Sequence, residues 1–435
     1  MNARITAYLK SEGVMKKFLQ IFTLCALCVL AAPMVFAQND EPVITATKDN
    51  VARIICQMEK DGTVKLVGEI DTETISTIAY ALQDLSEDFF PPAVNLDMSK
   101  TIGLKEIPSE AFFYAYCLSS IVIPSSVENI GDDVFMNCTN LKQIIVDENN
   151  EYYKSVDGVL YSKDESVLVR YPAKKREKSF NISKNVKSIA DDAFLGCTNL
   201  VKITVDENNE NYKSSDGVLY NKDKTSLIYY PANKTATAFV VPDGVENIAE
   251  GAFNRCKKLQ TIKLPSSVKN IGDWAFDFCT HLKYITIPDG VKNIGEGTFY
   301  FCKNLETIII PGSINYIGHW AFRCCFNLKS ITISEGMEII GDLAFEGCCK
   351  LKNIILPDGL KKLEASAFRD CSKLESIIIP ESLVFISVQV FYECENLKTL
   401  NYKGSKEQWD AIDKVQYWNN GCPSTMKINF NYTEN

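Results

Sequence analysis

Residues 282–304 read LKYITIPDGVKNIGEGTFYFCKN, and this unit returns, with substitutions, every 23 residues through the C-terminal half of the 435-residue chain. Its Cys recurs as Cys256, Cys279, Cys302, Cys325, Cys348, Cys371 and Cys394. Each follows a Phe by three residues: Phe253, Phe276, Phe299, Phe322, Phe345, Phe368 and Phe391. Upstream, Cys138, Cys197 and Cys256 are spaced by 59, the same unit lengthened by a 36-residue insert. The two inserts resemble each other, YYKSVDGVLYSKDESVLVRYP from Tyr152 and NYKSSDGVLYNKDKTSLIYYP from Asn211. From Phe112 to Phe391, ten units carry the Phe.

The fixed positions are apolar and have strand and turn periods. Ile285 and Ile287, two apart, face the same way on a strand. Val291, Ile294 and Phe299 return to the same interior. One unit has no partner for this apolar set, so stacked units must bury it as a continuous column, each coil touching only its neighbours. Pro288 ends the strand and Gly295 allows the bend. The fold class expected is a β-rich, right-handed solenoid with one parallel sheet along a side and short helical caps.

The unit IP-x-x-V-x-x-IG-x-x-AF-x-x-C-x-x-L resembles the BspA-type leucine-rich repeats of bacterial surface proteins, over roughly residues 93–425. The hairpin inserts and the closing YKGSKEQWDAI (402–412) are similar to parts of that family. The resemblance implies an exported protein that acts as an adhesin toward matrix proteins, host cells or other microbes. Many relatives carry anchoring or further extracellular domains, which this sequence does not show.

Other segments fit an exported repeat protein. Lys16 and Lys17, the apolar run after them and Val35-Phe36-Ala37 form a secretory signal, with Met15 the natural start and cleavage expected after Ala37. Removing residues 1–37 takes away four basic residues and one acidic one, moving the net charge from −9 to −12. An acidic chain without a basic tract disfavours nucleic acid. No later apolar segment is long enough to span a bilayer. The expected division is an N-terminal cap at 38–92, a solenoid at 93–402 with hairpin inserts at about 147–182 and 206–241, and a C-terminal cap at 403–435. In the first cap, 63–70 reads as a strand and Asp71 caps a helix from Thr72 to about Leu85. In the second, a helix from Glu407 to about Val415 lays Trp409 and Ile412 over the last coil.

Catalytic chemistry finds little material. The chain has two histidines, His281 and His319, neither at metal-ligand spacing to the other. Nine cysteines share one repeat position, where side chains pointing one way along a ladder seldom meet disulfide torsions, so that column reads as core. Cys56, Cys117, Cys324, Cys349 and Cys422 lie outside it and are the better candidates for pairing. The acidic VDENN (146–150) and VDENNE (205–210) lack the ligand alternation of a calcium loop. No catalytic residue, metal or cofactor is expected.

Binding therefore has to use the surface. Between the inward Ile residues the strands carry an outward strip, and the candidate protein-binding face is Tyr284, Ile309, Thr332, Ile355 and Ile378, with Lys283, Lys329, Lys352 and Lys398 along one side, interrupted by Glu306 and Glu375. Ten strands at about 4.8 Å give a sheet of roughly 50 Å. A secondary candidate is the tyrosine set of the inserts, Tyr153, Tyr161, Tyr171, Tyr212, Tyr220 and Tyr230, on hairpins standing out from the solenoid edge; the alternative, that these rings pack the hairpins onto their coils, is preferred. The functional expectation is a secreted or surface-exposed protein that binds extracellular or host proteins. The other reading is a structural or glycan-binding envelope component.

Overall fold

The structure is a computed structural model that describes residues 43–86 and 91–433. The predicted export signal lies outside these residues. Among them, no helix is long and apolar enough to cross a membrane.

The chain winds as a solenoid of parallel strands. In the unit 282–304, a strand Tyr284–Thr286 is followed by a turn, a short strand Asn293–Ile294 and the turn that carries Phe299 and Cys302. Successive coils stack in register, Ile262 against Ile285 on the long-strand side and Ile294 against Ile317 on the short-strand side. Leu282, Ile285, Ile287, Val291, Ile294, Phe299 and Cys302 are all buried, as the repeat pattern requires. From Phe276 to Phe368 the rings form a stack with centroids 5.2 Å apart and planes within 11° of parallel. Gly295 and its equivalents serve close approach rather than a left-handed turn: a Cβ on Gly318 would lie 2.5 Å from the carbonyl carbon of Gly295.

The nine column thiols are buried, and each aims at a carbonyl of the preceding coil. Cys302 Sγ donates to Phe276 O at 3.2 Å, Cys325 to Phe299 O at 3.3 Å and Cys394 to Phe368 O at 3.1 Å. Two thiols placed outside the column by sequence close this ladder at its ends. Cys117 donates to Leu82 O at 3.2 Å and Cys422 to Phe391 O at 3.3 Å. Burial pushes the thiols of Cys138 and Cys197 up to about 12, far from the thiolate form that reacts. We predict that the native protein yields almost none of the nine column thiols to a thiol reagent, and that denaturation without reductant releases nearly all of them. Few reactive thiols after denaturation would show a disulfide-bonded column and overturn this packing.

The inserts do not project from the edge as the sequence suggested. Tyr171 lies 36 residues after Phe135 and 23 before Phe194, and Tyr230 stands likewise between Phe194 and Phe253. Both occupy the Phe column. Cys197 Sγ donates to Tyr171 O and Cys256 Sγ to Tyr230 O, as the other column cysteines do to Phe carbonyls. Tyr230 stacks on Phe253 with centroids 5.4 Å apart. Each insert is thus one further coil of the solenoid. Its predicted hairpin is present: Val159–Ser162 pairs antiparallel with Val167–Arg170, which in turn pairs parallel with the short strand Ser188–Ile189. A second, unpredicted hairpin precedes it, Tyr153–Val156 against Val159–Ser162. Its turn residues Asp157 and Gly158 have φ of 50° and 77°, the left-handed pair that an Asp-Gly turn supplies. Gly158 O accepts Ile144 N–H at 2.9 Å, and Gly217 O does the same for Ile203. These turns occupy edges of the long strands Gln143–Val146 and Lys202–Val205, and the sheet is interrupted after each. The predicted ten-strand sheet is therefore interrupted at both inserts, and the nine strands that lie side by side from Ala238–Val240 to Lys427–Asn429 are joined by hydrogen bonds in groups of three, two and four.

On the Phe side, turns from distant coils converge. Arg255 Nη2 donates to Asn137 Oδ1 at 3.0 Å, 118 residues away. Met136, Leu195 and Trp274 form one cluster with Phe113, Tyr300 and Trp320 packed on it.

Both ends of the described chain are covered. Val43–Ala46 pairs with Gly62–Glu69, which pairs with Val94–Ile102. Helix Thr72–Ser86 buries Ile75, Ile78, Ala79 and Leu82, and Asp71 Oδ1 accepts Thr74 N–H at 2.9 Å as its N-cap. A short helix, Val51–Cys56, was not anticipated. At the other end the helix is shorter than expected, Lys406–Ala411, closed by a Ser405–Gln408 capping box, and Trp409 is buried against Tyr402.

Candidate functional site

The outward strip is built by strand alternation. On Thr307–Ile310, Ile308 and Ile310 are buried while Ile309 is 64% exposed; on Asn353–Ile355, Ile354 is buried and Ile355 is 47% exposed. Tyr284 is 51% exposed and Thr332 is also exposed. Four of the five predicted residues thus share one solvent-facing strip on neighbouring coils.

Ile378 departs from the prediction: only 9% of it is accessible. The cause is lateral. In an in-register parallel ladder, identical positions of adjacent coils cover one another's flanks. Ile309 is paired with Thr332, a small neighbour, whereas Ile378 lies between Ile355 and Asn401. Asn401 is itself buried and accepts a hydrogen bond from Asn429 Nδ2 at 2.7 Å, on the terminal strand. The strip therefore ends at Ile355.

The tyrosines of the inserts do not form a second surface. Tyr161, Tyr171, Tyr220 and Tyr230 are buried, and Tyr153 and Tyr212 are half-buried. The Tyr153 hydroxyl accepts Ile130 N–H at 3.0 Å. These rings pack the insert coils into the stack, the preferred reading of the sequence. Tyr152, at 47%, is the exposed member of the segment.

Beside the strip, at the entry of the same strands, lies a trough of about 460 Å³. Its walls come from two repeat columns. Lys283, Glu306 and Lys329 directly precede the strands; His281, Asn304 and Lys350 stand one residue before the buried Leu of their coils. Glu306 binds Lys329 at 2.7 Å. That bond, with Lys283 and Lys350 nearby, holds the Glu306 carboxyl below its usual range. The sequence showed the lysine row and the His in the Asn column, but not that Lys350, from the other column, joins the same trough.

His319 lies elsewhere, with Nδ1 3.2 Å from Asp342 Oδ2. Among the described residues, no group of three or more His, Cys, Asp or Glu side chains could hold a metal ion.

Comparison with known proteins accords with this architecture. No curated protein matches the chain. Among solved structures it is similar to a leucine-rich repeat protein from Eubacterium ventriosum, with 25% identity over 86% of this chain and 91% of that one and a TM-score of 0.49. It is also similar to the pneumococcal vaccine antigen PcpA, with 20% identity over 85% and 79% and a TM-score of 0.45. A leucine rich cell surface protein from Faecalibacterium prausnitzii shares 23% identity over 88% and 89%, with a TM-score of 0.39. The family described as BspA type leucine rich repeat region matches residues 84–156, 173–236, 228–348 and 317–431 in six copies. With its Phe and Cys columns and 23-residue coils, this chain belongs to the BspA-type leucine-rich repeat family.

Proposed function

We propose that the chain acts outside the cytoplasm as a non-catalytic scaffold that takes a protein partner on the strip Tyr284, Ile309, Thr332 and Ile355. The observation that carries this reading is the exposure of Ile309, Ile355 and Tyr284 on an ordered sheet. Apolar surface in a contiguous strip is unusual on a soluble protein and marks partner sites. Export is supported by the basic and apolar residues before Ala37, and the family membership agrees with it. A protein fits better than a neutral glycan, because sugar platforms are aromatic and Tyr284 stands alone among aliphatic and small polar side chains on this strip.

The test is the double substitution Ile309→Ser/Ile355→Ser. It removes apolar contact area without opening a core cavity, so stability should fall by roughly 1 kcal/mol or less. Capture of extracellular matrix and host surface proteins by the purified chain should weaken about tenfold or more, because a few central apolar contacts dominate an interface. Unchanged capture alongside an unchanged melt removes this strip as the site.

A further inference from the structure

We infer that the trough beside the strip is a subsite for an acidic, extended peptide segment of the partner protein. This inference rests on the protein-binding reading and names the chemistry of the segment that binds.

The argument begins with charge. The whole chain is acidic, with a net charge of −9. The trough reverses this: Lys283, Lys329 and Lys350 line it with a single carboxylate, Glu306. Several surface lysines elsewhere on the solenoid ladder are paired with a carboxylate of the neighbouring coil. Examples are Lys105 with Glu128, Lys269 with Glu246, Lys361 with Glu338 and Lys398 with Glu375. In the trough, Lys329 pairs in the same way with Glu306. Lys283 and Lys350 act on the same Glu306 carboxylate, so the lining of the trough carries three lysines against one carboxylate, an excess of two positive charges.

Its polar wall points the same way. The Asn before the Leu gives its amide to the preceding coil outside the trough, Asn140 to Tyr116 O at 2.8 Å and Asn396 to Ser372 O at 2.7 Å, and within it, Asn327 to Lys303 O at 2.8 Å. Two coils before Asn327 this column holds His281, with its Nδ1 3.3 Å from Thr280 Oγ1. Asn304 serves as acceptor for Asn327 at 3.0 Å. Two ammonium groups in excess and a wall of amide and imidazole groups recognise carboxylates carried on a chain with its own backbone polar groups.

Size and position fix the form. Each wall of the trough runs over four coils, about 15 Å at the spacing of adjacent strands, and the two walls together draw on five. An extended peptide advances about 3.3 Å per residue, so roughly five residues fill it. Lys283 directly precedes Tyr284, so a segment lying in the trough delivers the residues flanking its acidic run onto Tyr284 and Ile309.

The test uses fluorescein-labelled hexaglutamate, titrated against the full chain by anisotropy, with hexaglutamine and a heparin hexasaccharide as comparison probes. Hexaglutamate should bind and hexaglutamine should not. Binding should weaken about tenfold or more in Lys283→Glu/Lys350→Glu, and by a smaller factor in Lys283→Gln/Lys350→Gln. The far-ultraviolet circular dichroism and melt of both variants should match the parent. Absence of hexaglutamate binding, equal binding by the charge-reversed variant, or binding of heparin alone overturns the proposal, the last assigning the trough to an anionic glycan. The titration contains no partner protein, so its failure leaves the Ile309/Ile355 capture experiment to judge the wider reading independently.

Discussion

Replacing Arg170 by Met should destabilise the protein by about 3–5 kcal/mol, the usual result of removing one partner from a buried ion pair. Arg170 is 1% exposed. Its Nη2 donates to Phe135 O at 3.0 Å and to Leu195 O at 2.9 Å, and its Nη1 to the carbonyl of Asp192 and to Asp192 Oδ2, the last at 3.0 Å. One side chain thus ties the first insert coil to the coil before it and the coil after it. A Met would fill the volume of the stem but leave the Asp192 carboxylate and Leu195 O without the guanidinium, while Phe135 O and Asp192 O keep only the N–H groups of Cys138 and Leu195. The second insert shows how the same place is filled without a charge. There Tyr229 stands at the equivalent of Arg170 and Gly251 at the equivalent of Asp192, each 59 residues on. Tyr229 is buried, its hydroxyl donates to Cys197 O at 3.0 Å, and its ring stacks on Phe194. The double substitution Arg170→Tyr/Asp192→Gly should therefore recover most of the loss, since it removes cation and carboxylate together. Urea unfolding followed by circular dichroism measures both variants. If Arg170→Met costs less than about 1 kcal/mol, or if the double variant is no better than the single one, the two inserts do not use interchangeable solutions.

The same contrast explains what could be read from the sequence. The interior columns were legible because every coil gives one position the same surroundings: Leu, Ile, Val, Phe and Cys recur at fixed spacing and are buried at each recurrence. Tyr171 and Tyr230 escaped because their residue type differs and their spacing of 36 breaks the period, so they read as rings packing a hairpin onto its coil and not as members of the Phe column. The signal was available in the 23 residues that separate each from the next Phe. Ile378 escaped for another reason. Alternation along a strand tells inside from outside, but exposure of an outward residue depends on its neighbours in the adjacent coils, here Ile355 and Asn401. The trough depends on stacking in the same way, since Lys350 meets Lys283 and Glu306 only across coils. The Val51–Cys56 helix is six residues long, too short for a 3.6-residue period to declare itself.

Phe322→Ala, in the middle of the aromatic stack, should also cost about 3–5 kcal/mol, the range for deleting a fully buried ring where the surroundings cannot collapse. Phe322 is fully buried between Phe299 and Phe345, each 5.2 Å away by ring centroid, with planes at 11° and 1°. Collapse is restricted because both neighbours are fixed by the in-register ladders of their own coils. A solenoid transmits stability through nearest-neighbour interfaces, so a cavity at this point weakens the contact between the two halves of the stack as well as the coil that contains it. Urea unfolding of the variant should accordingly broaden or divide into two transitions, whereas Phe391→Ala, next to the terminal cap residue Trp418, should lower the midpoint while fraying only the end. Phe322→Tyr should lie between parent and Ala. The column already holds Tyr171 and Tyr230 with buried hydroxyls that find no partner among the described residues, so the stack accepts the ring with its substituent. An unpaired hydroxyl still costs on the order of 1–3 kcal/mol. Should Phe322→Ala unfold as one sharp transition within about 1 kcal/mol of the parent, the ring stack is not what couples the coils, and the cohesion of the solenoid must reside in its backbone ladders instead.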